Sequence, residues 1–125
     1  MLDHMTLRVA SLEKTREFYR SVLATLGYGA PLEMEHDGVR ILGFAQDGKY
    51  DTWFIESSAV SGPCHICWGA ESRAQVDAFY TAALQAGGVD NGPPGVRGHY
   101  HQHYYGAFVL DPDGNNMEAV CHAPD

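Results

Sequence analysis

A strand-helix pattern occurs twice in this chain at a fixed offset of 61 residues, and no other feature restricts the possible folds as much. Residues Asp3 to Tyr28 align without a gap on Cys64 to Val89, matching His4 with His65, Ser11 with Ser72, Phe18 with Phe79, Tyr19 with Tyr80, Leu23 with Leu84 and Gly27 with Gly88. Ordinary residue usage would give roughly one or two such matches in a window of this size. A duplicated unit repeats its core and turn residues because each copy buries the same face, so the Phe, Leu and Gly matches follow from packing. A repeated histidine does not.

The local pattern predicts the same unit in both copies. From His4 to Ala10, Met5, Leu7 and Val9 alternate with His4, Thr6 and Arg8, the period of a strand with one apolar face. Ser11 then stands as an N-cap, Glu13 suits the first turn of a helix, and Leu12, Thr15, Phe18, Tyr19, Val22, Leu23 and Leu26 form an apolar stripe that Gly27 ends. The second copy sets His65, Cys67 and Gly69 against Ile66, Trp68 and Ala70, then Ser72 with Gln75 at the capping-box position, then Gly87-Gly88. Strands are expected over Leu32 to Met34, Val39 to Ala45 and Thr52 to Glu56. Two further strands, Gly106 to Leu110 and Asn116 to Cys121, flank the turn Asp111-Pro112-Asp113-Gly114. Asn91-Gly92-Pro93-Pro94-Gly95 reads as a loop. The resulting fold class is α+β: paired βαβββ modules forming a curved mixed sheet around a cleft, helices outside.

A chain of 125 residues is long enough for one core but too short for two, so the modules, about 1–60 and 61–125 of a single domain, are expected to share it. No stretch reaches the ~18 to 20 apolar residues of a membrane span, and the start shows no cationic-then-apolar leader. The three cysteines make no disulfide framework, and a cytoplasmic location is expected. A net charge of −8 with scattered basic residues argues against nucleic acid as a partner and favours a small-molecule substrate.

The alternation of β residues places Glu118 with Asn116 and Val120 on the face away from the helices. If both sheets curve around one cleft, His4, His65 and Glu118 all project into it. Two imidazoles and a carboxylate from three strands suit a divalent first-row metal with open coordination positions. A second unusual stretch is His99-Tyr100-His101-Gln102-His103-Tyr104-Tyr105. As a strand its histidines would share one face; as a polar loop or edge strand it would border the cleft. The Cys64, Cys67 pair falls on a strand rather than at a helix start and carries little weight.

The segments Asp3-His4-Met5-Thr6-Leu7-Arg8-Val9, Glu17-Phe18-Tyr19, Cys64-His65-Ile66 and Leu110 to Glu118 resemble the vicinal oxygen chelate superfamily, which includes glyoxalase I, extradiol dioxygenases, fosfomycin-resistance and bleomycin-binding proteins. The resemblance covers nearly the whole chain. It implies the paired βαβββ fold and metal ligands at His4, His65 and Glu118. Glyoxalase I adds a glutamate from the strand that ends the first module. The candidates here are Glu56 and Trp53, which have opposite parity, so only one can face the cleft. The fosfomycin type is similar in His4-x-Thr6 and the tryptophan, but no cationic cluster follows Glu118. The extradiol pattern has a tyrosine where Phe108 stands, and bleomycin-type binders lack the metal ligands.

These readings lead to a glyoxalase-like metal-dependent enzyme of lyase, isomerase or dioxygenase type. It would act on a small oxygen-bearing substrate with Fe, Mn, Ni or Zn at His4, His65 and Glu118 stabilising an oxyanion. Glu56, His101 and His103 are the candidate acid–base residues, and Thr6, Trp53, Tyr104 and Tyr105 the candidate substrate contacts. The alternative is a non-enzymatic binder in which Trp53, Trp68, Tyr104 and Tyr105 line an aromatic cleft. The resemblance also implies a homodimer.

Overall fold

A computed structural model describes residues 1–125. The first module contains β1 (Met5–Val9), α1 (Leu12–Ala24), β2 (Leu32–His36), β3 (Val39–Gln46) and β4 (Lys49–Glu56). The second contains β5 (His65–Gly69), α2 (Arg73–Gln85), β6 (Val89–Val96), β7 (Tyr105–Leu110) and β8 (Asn116–Cys121). This is βαβββ twice, as the repeat requires. Each module makes its own four-stranded mixed sheet, ordered β1-β4-β3-β2 and β5-β8-β7-β6, with the first strand parallel to the last.

The helices begin where their caps predict. Ser11 accepts from the Lys14 amide at 3.2 Å and Ser72 from the Gln75 amide at 3.2 Å, each cap contributing about 1 kcal/mol. Gln75 reaches back to the Glu71 amide at 2.8 Å. The predicted stripe of α1 is the buried one, from Leu12 to Leu23. It packs Tyr19 on Phe54 at 4.6 Å and reaches Trp68 of the second module at 6.2 Å between ring centroids. One cluster of buried side chains draws on both modules, so the core is shared.

One local expectation is corrected and one open alternative is decided. Asn91 to Gly95 lies within β6 rather than in a loop: this is an edge strand, where two prolines without N–H are tolerated, and its register shifts around Gly92 and Gly95 absorb the misfit. The histidine stretch before Tyr105 is a run of turns and not a strand, so its imidazoles do not share one face.

The helices touch each other, and no strand of one module has more than marginal contact with a strand of the other. The sheets are joined through the helices and the shared core, and Cys67 of β5 lines a small cavity together with Asp3, Met5 and Thr52 of the first module. The eight strands form two four-stranded mixed sheets, consistent with the α+β fold of paired βαβββ modules. No helix is long and apolar enough to cross a membrane.

Candidate functional site

The second sheet's open face is built on the β5-β8-β7 register. His65 lies beside Asn116, Cys67 beside Glu118, and Glu118 beside Phe108. His65 Nε2 stands 2.8 Å from Glu118 Oε1. The other carboxylate oxygen, Oε2, accepts from the Tyr104 hydroxyl. Gly106 makes room for that bond: a Cβ there would stand 3.1 Å from the Tyr104 ring and 3.3 Å from Oε2.

The electrostatics of this group are unusual. Glu118 is only 2% exposed, yet no lysine or arginine pairs with it; its partners are one imidazole and one phenol. Burial, and next the hydrogen bond to Glu118, push the Tyr104 phenol well up, so it stays a donor. Burial and then the Glu118 charge push the Cys67 thiol up to about 12, which removes it as a nucleophile. A buried carboxylate without a fixed counter-charge, with an imidazole nitrogen beside it, is a donor set that fits a divalent cation.

His4 is not in this group. It precedes β1, is exposed, and has its Nδ1 2.7 Å from Asp3, which Lys49 also holds at 2.8 Å. No three His, Cys, Asp or Glu side chains within the chain are placed to hold a metal ion. Thr6 and Trp53 are register partners on the first module. The Trp53 ring covers Gly43, where a Cβ would fall 2.5 Å from it, and stacks on Tyr50 at 5.4 Å.

Glu56 has gone the other way. Its carboxylate accepts from the Leu12 amide at 2.9 Å and faces Arg40 at 3.6 Å, capping α1 instead of joining the open face. Tyr105 is likewise turned to α2, donating to Asp77 at 2.6 Å with Arg73 over its ring. Trp68 packs near Tyr19 and Phe79 in the shared core and lines a small cavity with Met5, Tyr28 and Ile66. Parity separates these residues from their neighbours: Tyr105 sits in β7 next to Gly106, which clears the opposite face.

His101 lies 2.5 Å through Nε2 from His122 Nδ1, and its own Nδ1 accepts from the His103 amide at 3.2 Å. The Tyr104 ring stands edge-on to both imidazoles. The His103 ring makes no hydrogen bond within the chain. Phe108, Asn116, Arg97 and His122 are neighbours of the site that sequence reasoning did not assign to it. The first two were accessible from the hairpin, since a turn centred on Pro112 and Asp113 sets Phe108 opposite Glu118. The other two depend on long-range packing and left no local signal.

The family model of the Glyoxalase/Bleomycin resistance protein/Dioxygenase superfamily matches residues 1–119. A glyoxalase/bleomycin resistance protein from Albidiferax ferrireducens T118 is similar in structure at 26% identity, covering 97% of this chain and 98% of that one, with a TM-score of 0.73. A glyoxylase/bleomycin resistance protein/dioxygenase domain from Frankia sp. EAN1pec gives 16%, 98% and 98%, with a TM-score of 0.74. The fosfomycin resistance protein FosX from Listeria monocytogenes, as an E126Q mutant complexed with Mn(II) and 1S,2S-dihydroxypropylphosphonic acid, gives 20%, 96% and 88%, with a TM-score of 0.67. No curated protein matches by sequence.

Proposed function

The chain belongs to the glyoxalase/bleomycin resistance protein/dioxygenase superfamily, and from that premise we propose a metal-dependent enzyme acting on a small oxygen-bearing organic compound, with His65 and Glu118 as two ligands of a divalent ion and His4 of a second copy as the third. The observation that carries this reading is the buried Glu118 carboxylate, which has no basic side chain against it and has His65 Nε2 at 2.8 Å. That FosX binds Mn(II) on this fold supports a divalent ion; Fe, Mn, Ni and Zn all suit the donor set.

A metal held there would supply Lewis acidity to adjacent substrate oxygens as negative charge develops on them. The chain's own residues do the rest. Tyr104 keeps Glu118 oriented by holding Oε2, leaving Oε1 toward His65. Thr6 and Trp53, on the module that carries His4, present a hydroxyl and an aromatic face to the substrate. Of the acid–base candidates, His103 is the one whose ring is not engaged within the chain, and it would move the proton. His101 is tied to His122, and Glu56 to α1.

In this reading the third ligand comes from a second copy, because no three His, Cys, Asp or Glu side chains of one chain are placed to hold a metal ion. Metal content and mixing test this together. Wild type loaded with Mn(II) or Zn(II) and dialysed should keep stoichiometric metal, and His4→Ala, His65→Ala and Glu118→Gln should each lose it. Refolding a mixture of His4→Ala and His65→Ala chains should restore part of the binding, because a mixed dimer has one site with all three ligands. No stoichiometric metal in wild type sinks the enzyme reading and leaves an aromatic binder on the Trp53 and Tyr50 face. Metal in wild type without recovery on mixing sinks the shared site.

A further inference from the structure

We propose that Arg97, held over Phe108 by the glycine bend of β6, binds the anionic end of the substrate, so that the compound presented to His65 and Glu118 is a small organic acid. This rests on the reading of His65 and Glu118 as the reacting end, and deepens it.

The guanidinium is placed by a dedicated piece of backbone. Nη1 donates to the Gly95 carbonyl at 2.8 Å and Nη2 to the Pro93 carbonyl at 2.7 Å. A Cβ on Gly95 would come within 3.2 Å of Nη1. One on Gly92, whose φ is +145°, would come within 3.2 Å of Nη2 and 3.0 Å of the Phe108 ring. The missing side chains thus leave the space that Arg97 and Phe108 occupy, which gives a physical reason for the Gly-Pro-Pro-Gly run in an edge strand. The Arg97 Cζ lies 5.3 Å from the Phe108 ring centroid, within range of a cation–π contact.

Its location ties it to the site. Phe108 is the register partner of Glu118, and its ring is 6.1 Å from that of His65. Phe108 therefore adjoins both groups, its ring centroid 5.3 Å from the guanidinium carbon and 6.1 Å from the imidazole. An open cavity of about 350 Å³ lies over this ring, edged by Arg97, Asn91, Asn116 and His99. Asn91 donates to Asn116 Oδ1 at 3.1 Å, which leaves the Asn116 amide hydrogens to a ligand.

Charge makes the placement selective. The chain carries a net charge of −8, and after residue 61 its basic side chains are Arg73 and Arg97 alone. Arg73 lies over Tyr105 on the α2 side. Arg97 forms no ion pair, and two of its five N–H groups are spent on carbonyls, so the remaining three can meet a carboxylate. A staple for the edge strand would need the two carbonyl bonds but would have no preference for anions.

Titrating metal-free protein with benzoate and with benzamide, its neutral analogue of similar shape, separates these roles. Followed by NMR of the Arg97 and Asn116 side-chain N–H signals, benzoate should shift both saturably and bind about tenfold or more tightly than benzamide. Arg97→Gln should abolish the preference and Arg97→Lys should restore part of it. The wild-type comparison needs no variant, so loosening of β6 in Arg97→Gln cannot mask the result. Equal affinity for the two compounds, no binding of either, or benzoate binding retained in a folded Arg97→Gln protein would overturn the proposal. Repeating the titration on His65→Ala distinguishes the two readings: metal lost with benzoate binding kept leaves Arg97's role intact, whereas metal kept in wild type with no preference for benzoate over benzamide removes Arg97's role alone.

Discussion

Tyr104 gives its phenolic hydrogen to Glu118 Oε2, the carboxylate oxygen that His65 leaves free. A residue from a turn-rich loop thereby completes the hydrogen bonding of a buried charge on β8. Tyr104→Phe should lower stability in urea by about 1–3 kcal/mol, the cost of removing one donor from a buried charged acceptor. Far-UV circular dichroism should be unchanged. An unaltered urea midpoint would mean that Oε2 is satisfied without the phenol.

Asp111 organises the Asp-Pro-Asp-Gly-Asn turn and ties it to the first helix. Its Oδ1 accepts from the Asp113 and Asn115 amides at 2.9 Å each, and its Oδ2 from the Tyr19 hydroxyl at 2.5 Å, joining the last hairpin to α1. Asn115 continues the link to the Cys64 amide at 3.0 Å, beside His65. Asp111→Ala strands these buried donors and should cost at least about 3 kcal/mol in urea denaturation. Tyr19→Phe, which removes one bond, should cost about 1.5–3 kcal/mol. A cost below 1 kcal/mol for Asp111→Ala, on the order of an ordinary surface change, would refute this role.

Glu56 acts as a cap. Glu56→Gln weakens the charge at the start of α1 and the contact with Arg40, and Glu56→Ala removes both, so the alanine variant should lose about 0.5–2 kcal/mol of stability. Metal content should be the same in both variants as in wild type. Loss of metal in Glu56→Gln would return this residue to the site.

Alkaline pH should destabilise the fold through Tyr28 and Cys67. Burial, then the hydrogen bond to Asp51, raise the Tyr28 phenol from 10.0 to about 12, while burial and Glu118 raise the Cys67 thiol from 9.0 to about 12. Both groups hold their protons more tightly when folded. Their contribution is complete below the unfolded values and is lost as pH rises through the folded ones. Urea midpoints should hold steady up to pH 9 and fall between pH 9 and 12, with a smaller fall in Tyr28→Phe. A flat profile to pH 12 would contradict the assignment.

Much of this was legible before any coordinates. Strand alternation over Met5, Leu7 and Val9, the Ser11 and Ser72 caps, and the stripe on α1 depend on neighbours three or four residues away, and the structure keeps them. The pairing of His65 with Glu118 was also within reach, because the repeat marks one and the parity of the final hairpin aims the other. The edge strand over Gly92 to Gly95 was not, since its local chemistry favours a turn and only the neighbouring β7 supplies the ladder.

The sequence by itself determined a duplicated strand-helix unit, most of the strands that follow it, and the faces that meet in a common core, because periodicity and capping act over a few bonds. Tertiary structure alone decided that Glu56 and Tyr105 turn to the helices, that Tyr104 closes on Glu118, and that Arg97 lies over Phe108. Those outcomes depend on how two sheets are joined through the helices and the shared core, a relation between residues far apart in the chain that no local pattern encodes.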